Sequence, residues 1–384
     1  MPVYLDNNAT TTMPEQVVAV MMPYLTQTIG NPSSVHRYGR LSRQAIDDAR
    51  VQVAALVNAE PSQVIFTSGG TEANNLAILG SCKKWQNARL AIAATEHPSV
   101  IEPAQMHAQE SGFLDIIAVT DQGLITDAAF KQVLHDDTRL ISVMLANNET
   151  GVIQDLIPFI ELAKSRGIWF HADVSQAVAK IEVDIKQLPV QLMTLSSHKI
   201  YGPRGIGALI IDKSIEIDPI IVGGGQEKNL RSGTENIAAI VGFGKAAELA
   251  KKELQSRAEL LAGMQAKLED GLHKIPSVRI FADKVKRLPN TTLFAIEGIE
   301  GETLLMQLDK KGFAVSSGSA CHSSKVEASH VLQAMGVDDR IGSAAIRVSL
   351  GIDNTLADVE GFIRAISEIL ETLRPNLSLA VNNI

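Results

Sequence analysis

Between residues 63 and 199 the chain repeats one pattern, in which an apolar run of strand length ends in a polar residue and helix-forming sequence follows. QVIFTSGGTEANNLAIL (63–79) reads as strand, glycine turn and helix, and RLAIAATEHPSV (89–100) leaves His97 at a strand end before Pro98. LISVMLANNETGVIQ (140–154) closes its strand with Asn147 and Asn148, and WFHADVSQAVAK (169–180) ends a strand at Asp173, with Gln176 just beyond. This alternation predicts a mostly parallel sheet with helices packed on it, in which the polar residues at the C-terminal strand ends share one crevice. At 384 residues the chain is long enough for more than one domain.

TLSSHKIYGPRGIG (194–207) sets Lys199 between two further apolar runs. Gly202, Pro203, Gly205 and Gly207 exclude a helix interior, so Lys199 is expected on a tight connection, directed into the crevice. A lone lysine there is ordinarily a solvated turn residue, but this one comes with partners. The glycine turn at Gly70 leaves backbone donors free at a helix start, where they and the helix dipole favour an anion, and Thr71 adds a hydroxyl. A phosphate site, a lysine amine and a carboxylate that keeps a ring nitrogen protonated are what pyridoxal phosphate requires, and Asp173 and Lys199 supply the last two.

With these residues in place the chain resembles the class V aminotransferase-like pyridoxal-phosphate enzymes, and more closely the cysteine desulfurases of the NifS and IscS type. The resemblance runs from YLDNNATT (4–11) to IRVSLG (346–351). It implies fold type I, an α/β architecture with a large cofactor domain (16–260) whose mostly parallel mixed sheet is flanked by helices. It also implies a smaller α/β C-terminal domain (261–384) and a segment (1–15) packing with that smaller domain. Lys199 would be joined to the cofactor, Gly70 and Thr71 would contact its phosphate, and Asp173 its ring nitrogen. Gln176, Ser196 and His198 would be further cofactor contacts, and His97 would stack over the ring as a proton carrier. The register of NNETG gives Asn148 to the cofactor or the substrate carboxylate, although spacing alone leaves Asn147 open. Asn8 is implied on the substrate side, with a plain asparagine turn as the alternative. Arg347 is implied as the bidentate partner of the substrate carboxylate, with a structural ion pair as the alternative. RSGT (231–234) implies a homodimer in which Thr234 caps the phosphate of the partner's cofactor.

AVSSGSACHSSKVEASHVLQAMG (314–336) places Cys321 among serines, glycine and His322, and an inert buried cysteine normally has apolar neighbours instead. Its match to the family's SSGSAC loop implies a catalytic thiol. His322 stands where a hydroxyl residue is common and Ala328 where a proline is common. The implied activity removes sulfur from L-cysteine, giving L-alanine and a persulfide on Cys321 for a sulfur-acceptor protein such as an iron-sulfur scaffold. The alternative is a carbon-sulfur lyase that acts on cysteine or cystine without Cys321.

Composition narrows the rest. Cys82, the only other cysteine, lies in helical sequence and is expected to be structural. With no CxxC or HxxxH pattern, neither a disulfide framework nor a metal site is indicated. A net charge of -8 argues against a nucleic-acid surface. No apolar run is long enough to span a bilayer, and without a leader sequence a cytoplasmic location is expected. His107 and His135 have no strand-end setting and are expected at the surface. Sequence from Asn236 to about Lys274 is helical in pattern, and strands and helices of a second unit follow it.

Overall fold

The computed structural model describes residues 2–85, 87–110, 112–317 and 328–381, with side chains described as far as residue 373. Cys321 and His322 lie outside the described residues. In chain order the strands are β1 (Val3–Tyr4), β2 (Val64–Thr67), β3 (Arg89–Ala93), β4 (Phe113–Ile117), β5 (Thr138–Ser142), β6 (Trp169–Asp173), β7 (Leu192–Ser196), β8 (Gly207–Ile211), β9 (Val278–Ile280), β10 (Thr291–Ile296), β11 (Phe313–Ala314), β12 (Ser316–Ser317) and β13 (Ile346–Ser349). The helices are α1 (Glu15–Thr26), α2 (Arg37–Leu56), α3 (Gly70–Cys82), α4 (Pro98–Glu110), α5 (Asp127–Gln132), α6 (Ile157–Ser165), α7 (Ile237–Leu272), α8 (Gly301–Lys310), α9 (His330–Ala334), α10 (Asp339–Gly342) and α11 (Leu356–Val381).

The larger sheet has seven strands in the order β2-β8-β7-β6-β5-β3-β4. Only β8 runs antiparallel to its neighbours. Both faces are covered, which is why its strands read as nearly unbroken apolar runs. Val64, Phe66, Ala91, Met193, Leu195 and Ile210 turn to the face packed by α1, α2 and the first half of α7. Their alternates Ile65, Leu90, Ile92, Leu192 and Leu209 turn to α3 and α4. Gly207 allows a close approach here, because a Cβ on it would lie 2.6 Å from the Gly69 backbone and 2.8 Å from the Leu195 carbonyl. The glycine turn that opens α3 therefore rests directly on β8.

The second sheet is antiparallel, in the order β12-β13-β10-β9. Phe294, Ile296, Ile346 and Val348 face a cluster with α8, α11 and the second half of α7, while Leu293 and Ala295 face α9 and Val152. The expected boundary between residues 260 and 261 falls inside α7, whose 36 residues run about 54 Å at helical rise. Ala239 to Ala250 of this helix feed the large cluster, and Leu261 to Leu272 the small one.

Two expectations change in the structure. His107 is buried, not at the surface: its Nε2 donates to the Ala88 carbonyl at 2.8 Å, so that nitrogen is satisfied without water. The strand expected to close on Asn147 and Asn148 ends as β5 at Ser142. Beyond it Val143 and Leu145 donate to the carbonyls of His171 and Asp173, so the extended chain still tracks β6. Cys82 is buried in the α3 cluster, where burial pushes its thiol up to about 12, as a structural cysteine requires.

The glycine-rich run before α7 also anchors the core. Glu227 accepts from both Arg50 terminal nitrogens, at 2.7 and 2.8 Å, and from the Phe66 amide at 2.8 Å. Its side chain is 1% exposed. Glu227→Ala would leave the Arg50 charge buried and unpaired, so the urea midpoint should fall by the equivalent of about 3–5 kcal/mol.

Candidate active site

The C-terminal ends of the parallel strands open onto a cavity of about 380 Å³. Asn8, Gly70, Thr71, His97, Asn148, Asp173, Gln176, Ser196, His198, Lys199 and Arg347 all line it, so residues separated by most of the chain length meet in one place. Thr234 is not among them. It is exposed and borders a smaller cavity with Arg231, Glu227 and Phe66.

Lys199 ends a 3-10 turn that leaves β7. The backbone turns sharply after it through Tyr201, which sits at φ 70, a left-handed conformation costing about 1–3 kcal/mol. Tyr201 is held there by the Thr11 hydroxyl on its amide and by its own hydroxyl, which accepts from the Ile352 amide. Lys199 Nζ donates to the carbonyls of Asn8 and Ala9, at 2.5 and 2.8 Å. Burial and the Arg347 charge bring its amine down from 10.5 to about 8, against the opposing pull of Asp173 and Asp6. Only an unprotonated amine can attack an aldehyde. In cofactor-free protein, capture of pyridoxal phosphate trapped by borohydride at graded pH should therefore rise to a plateau above about 8, whereas an ordinary lysine would still be gaining at 10.

Asp173 accepts from Asn74 Nδ2 at 2.8 Å and from the Ser175 amide at 2.9 Å. Two strand positions below it, His171 is pinned between the Ser142 and Thr194 hydroxyls, and burial lowers it to about 4. His198 bonds Thr10 Oγ1 through Nδ1 and is likewise brought to about 4, by burial and then by the charges of Lys199 and Arg204.

The two asparagines separate clearly. Asn147 is buried, with its carboxamide oxygen accepting from the Glu149 and Thr150 amides and the Thr150 hydroxyl, so it shapes the turn that leaves Asn148 on the cavity. Asn8 is 1% exposed. Its side chain donates to Thr291 Oγ1 and the Asn148 carbonyl, and accepts from Lys180 and Asn290. The Asn8 carboxamide thus holds the walls together, while its main chain faces Lys199. Arg347 does form an ion pair, with Asp6 at 2.7 Å, and also donates to the Asn148 carbonyl. Its Nε is buried without a partner, which leaves a donor for a further acceptor.

No motif in the sequence points to Lys180, Asn74 or Ser99. Lys180 is buried, donates to Gln176 Oε1 and Asn8 Oδ1, and is held well below the ordinary lysine range by burial and by the Lys199 and Arg347 charges. Its spacing of four residues from Gln176 was the available signal. Among the described residues no cluster is suited to a metal ion.

The chain belongs to the aminotransferase class-V family, whose sequence pattern matches residues 3–362. Within that class the resemblance is to cysteine desulfurases. A protein named "Cysteine desulfurase IscS" from Methanosarcina thermophila is 40% identical over 374 residues, covering 97% of this chain and 93% of that protein. A solved structure described as "NIFS-LIKE PROTEIN" superposes with a TM-score of 0.91 at 34% identity, covering 97% of this chain and 100% of the other. Another, described as "SspA in complex with cysteine", gives 0.82 at 29% identity, covering 91% and 98%.

Pyridoxal phosphate is the cofactor of this family, and the cavity fits it. The first amides of α3 have no intrahelical acceptor, the earliest such bond being Ala73 to Gly69. Gly70 keeps open the space where a Cβ would meet Ser196 and Ser175 at 3.4 and 3.5 Å. Ser175 Oγ is buried on the same wall without a partner.

Proposed function

We propose that the protein is a cysteine desulfurase that removes sulfur from L-cysteine, releases L-alanine and holds the sulfur as a persulfide on Cys321. The observation that carries this reading is the convergence of Lys199, Asp173 and Arg347 on one cavity. Together they supply an amine, a carboxylate for a ring nitrogen and a guanidinium for an amino-acid carboxylate.

Bound there, pyridoxal phosphate supplies the electron sink for the substrate carbon that loses its proton. The start of α3, with Gly70, Thr71 and Ser196, holds the phosphate, and Asp173 keeps the proton on the ring nitrogen. Gln176 and His198 complete the cradle. Arg347 takes the substrate carboxylate, with Asn148 beside it and Asn8 fixing both walls. Lys199, with its amine near 8, accepts the proton from the substrate α-carbon and can return it. Cys321 attacks the substrate sulfur as a thiolate. A sulfur-sulfur bond forms, the carbon-sulfur bond breaks, and its electron pair stays on carbon, which takes a proton to become the methyl group of alanine. The persulfide then passes to an acceptor protein such as an iron-sulfur scaffold.

A homodimer belongs to the same proposal. Thr234 is exposed and lies outside its own chain's cavity, where it is free to serve a partner's. Leu25, Ile29, Val35 and Val222 are large apolar residues left exposed. We also divide the chain into residues 16–260 about the larger sheet and 261–384 about the smaller, with 1–15 packing on the latter. No described helix is long and apolar enough to cross a membrane. A reducing compartment such as the cytoplasm would keep Cys321 a thiol.

The test is a product assay on L-cysteine with the cofactor-loaded protein. Alanine equimolar with transferred sulfur is expected, whereas pyruvate and ammonia as main products would replace the desulfurase with a carbon-sulfur lyase.

A further inference from the structure

His97 immediately precedes α4, and its Nδ1 is met by two donors from one residue. The Ser99 amide lies 3.1 Å away and the Ser99 hydroxyl 2.8 Å. The amide is one of the free donors of the first turn of α4, and a backbone N–H cannot be reversed to accept. The hydroxyl is oriented as well. Ser99 Oγ accepts from Asn74 Nδ2 at 2.8 Å, and Asn74 also donates to Asp173 at 2.8 Å, so the Ser99 proton is left to point at His97. Ser99 and Asn74 are 7% and 1% exposed, too buried for water to take over these bonds. Nδ1 is therefore an acceptor, and the neutral ring carries its proton on Nε2. Among the described residues no hydrogen bond to Nε2 is present, and the ring lines the cavity.

The surrounding groups discourage a second proton. Burial lowers the proton affinity of His97, Lys199 and His330 add to that, and Asp173 opposes it. Glu96, next in the chain, is fully buried with its carboxyl raised well above the usual range, and it accepts from the Met144 amide. His330 donates to the Glu96 carbonyl at 2.8 Å.

We propose, resting on the desulfurase reading above, that Ser99 is a positioning residue that locks His97 as the neutral ring protonated on Nε2, so that His97 offers the cavity a hydrogen-bond donor and not a base. A ring in that state cannot take the thiol proton at Nε2, but it stabilises an atom that gains negative charge beside it.

The experiment is nitrogen-15 histidine NMR on the pyridoxal-phosphate-loaded protein, with the His97 signals identified by their loss in His97→Gln. In the wild type, Nε2 should be protonated and Nδ1 bare at neutral pH. Ser99→Ala removes one of the two donors that favour the bare Nδ1, so the His97 midpoint should rise by roughly half a unit to one unit. Ser99→Thr keeps a hydroxyl and should restore the wild-type midpoint. A protonated Nδ1 in the wild-type neutral ring would overturn the proposal even if Ser99→Ala does not fold, and so would an unchanged midpoint in folded Ser99→Ala. Activity is read separately by the product assay, so pyruvate as product with Nδ1 bare would end the desulfurase reading and leave the lock standing.

Discussion

Lys199→Ala should lower alanine formation by at least about 10³-fold, because in the proposed mechanism it removes both the covalent anchor and the group that moves the α-proton. The cavity should survive, since the Asn8 and Ala9 carbonyls that receive Lys199 are held by other bonds: Gln176 donates to the Asn8 carbonyl at 2.9 Å, and the Ala9 amide bonds back to Asp6. Borohydride reduction of the loaded protein should fix pyridoxal phosphate covalently to the wild type and leave the variant unmodified, as read by intact mass. A variant that keeps wild-type turnover, or that is still modified in this pocket, would remove Lys199 from its assigned place.

Cys321→Ala should separate binding from sulfur transfer. In the proposed mechanism cofactor and substrate contacts run through Lys199, Asp173 and Arg347, so pyridoxal phosphate content should stay at the wild-type level. Alanine formation without added thiol should fall to near zero, because loss of a nucleophile deletes a step, whereas loss of one binding contact weakens affinity by only about 1–3 kcal/mol. Cys82→Ala should turn over normally apart from a modest loss of stability, since its thiol is buried and pushed up to about 12. Wild-type turnover in Cys321→Ala would favour the lyase.

The large sheet and most of its crevice were legible because they rest on local pattern. A strand of period two covered on both faces reads as an apolar run, and a polar residue at its end or a few positions beyond marks the crevice, as Asp173 and His97 do. Other features depended on partners far away in sequence. Nothing in the run around Glu227 announces Arg50, which lies 177 residues earlier. His107 read as a surface residue because its acceptor is a backbone carbonyl, which carries no sequence signature. Asn147 and Asn148 are adjacent and chemically identical, and only the turn geometry shows that one is consumed by it. Ser99 fits any helix start by sequence, and its pairing with Asn74 and His97 becomes visible only when α3 and α4 pack together. Of the two alternatives for Arg347 the ion pair is present, with Asp6, and its Nε is left without a partner.

The path of the N-terminal segment bears on when the protein becomes competent during its synthesis. Residues 3–8 leave the ribosome well before residues 312–349, yet Val3 and Leu5 pair with Gly312 and Ala314, and the Asn7 side chain bonds the Ser349 carbonyl 342 positions later. The large sheet can form while the chain is still growing, because its strands lie between residues 64 and 211. The floor beneath Lys199, made by the Asn8 and Ala9 carbonyls, can be fixed only after Ser349 of β13 has emerged and bonded Leu5, Asn7 and Asn8. Such a long closure is slow relative to local folding. Nascent chains would therefore carry a finished sheet with an open pocket, and firm cofactor retention would begin only once β13 is available.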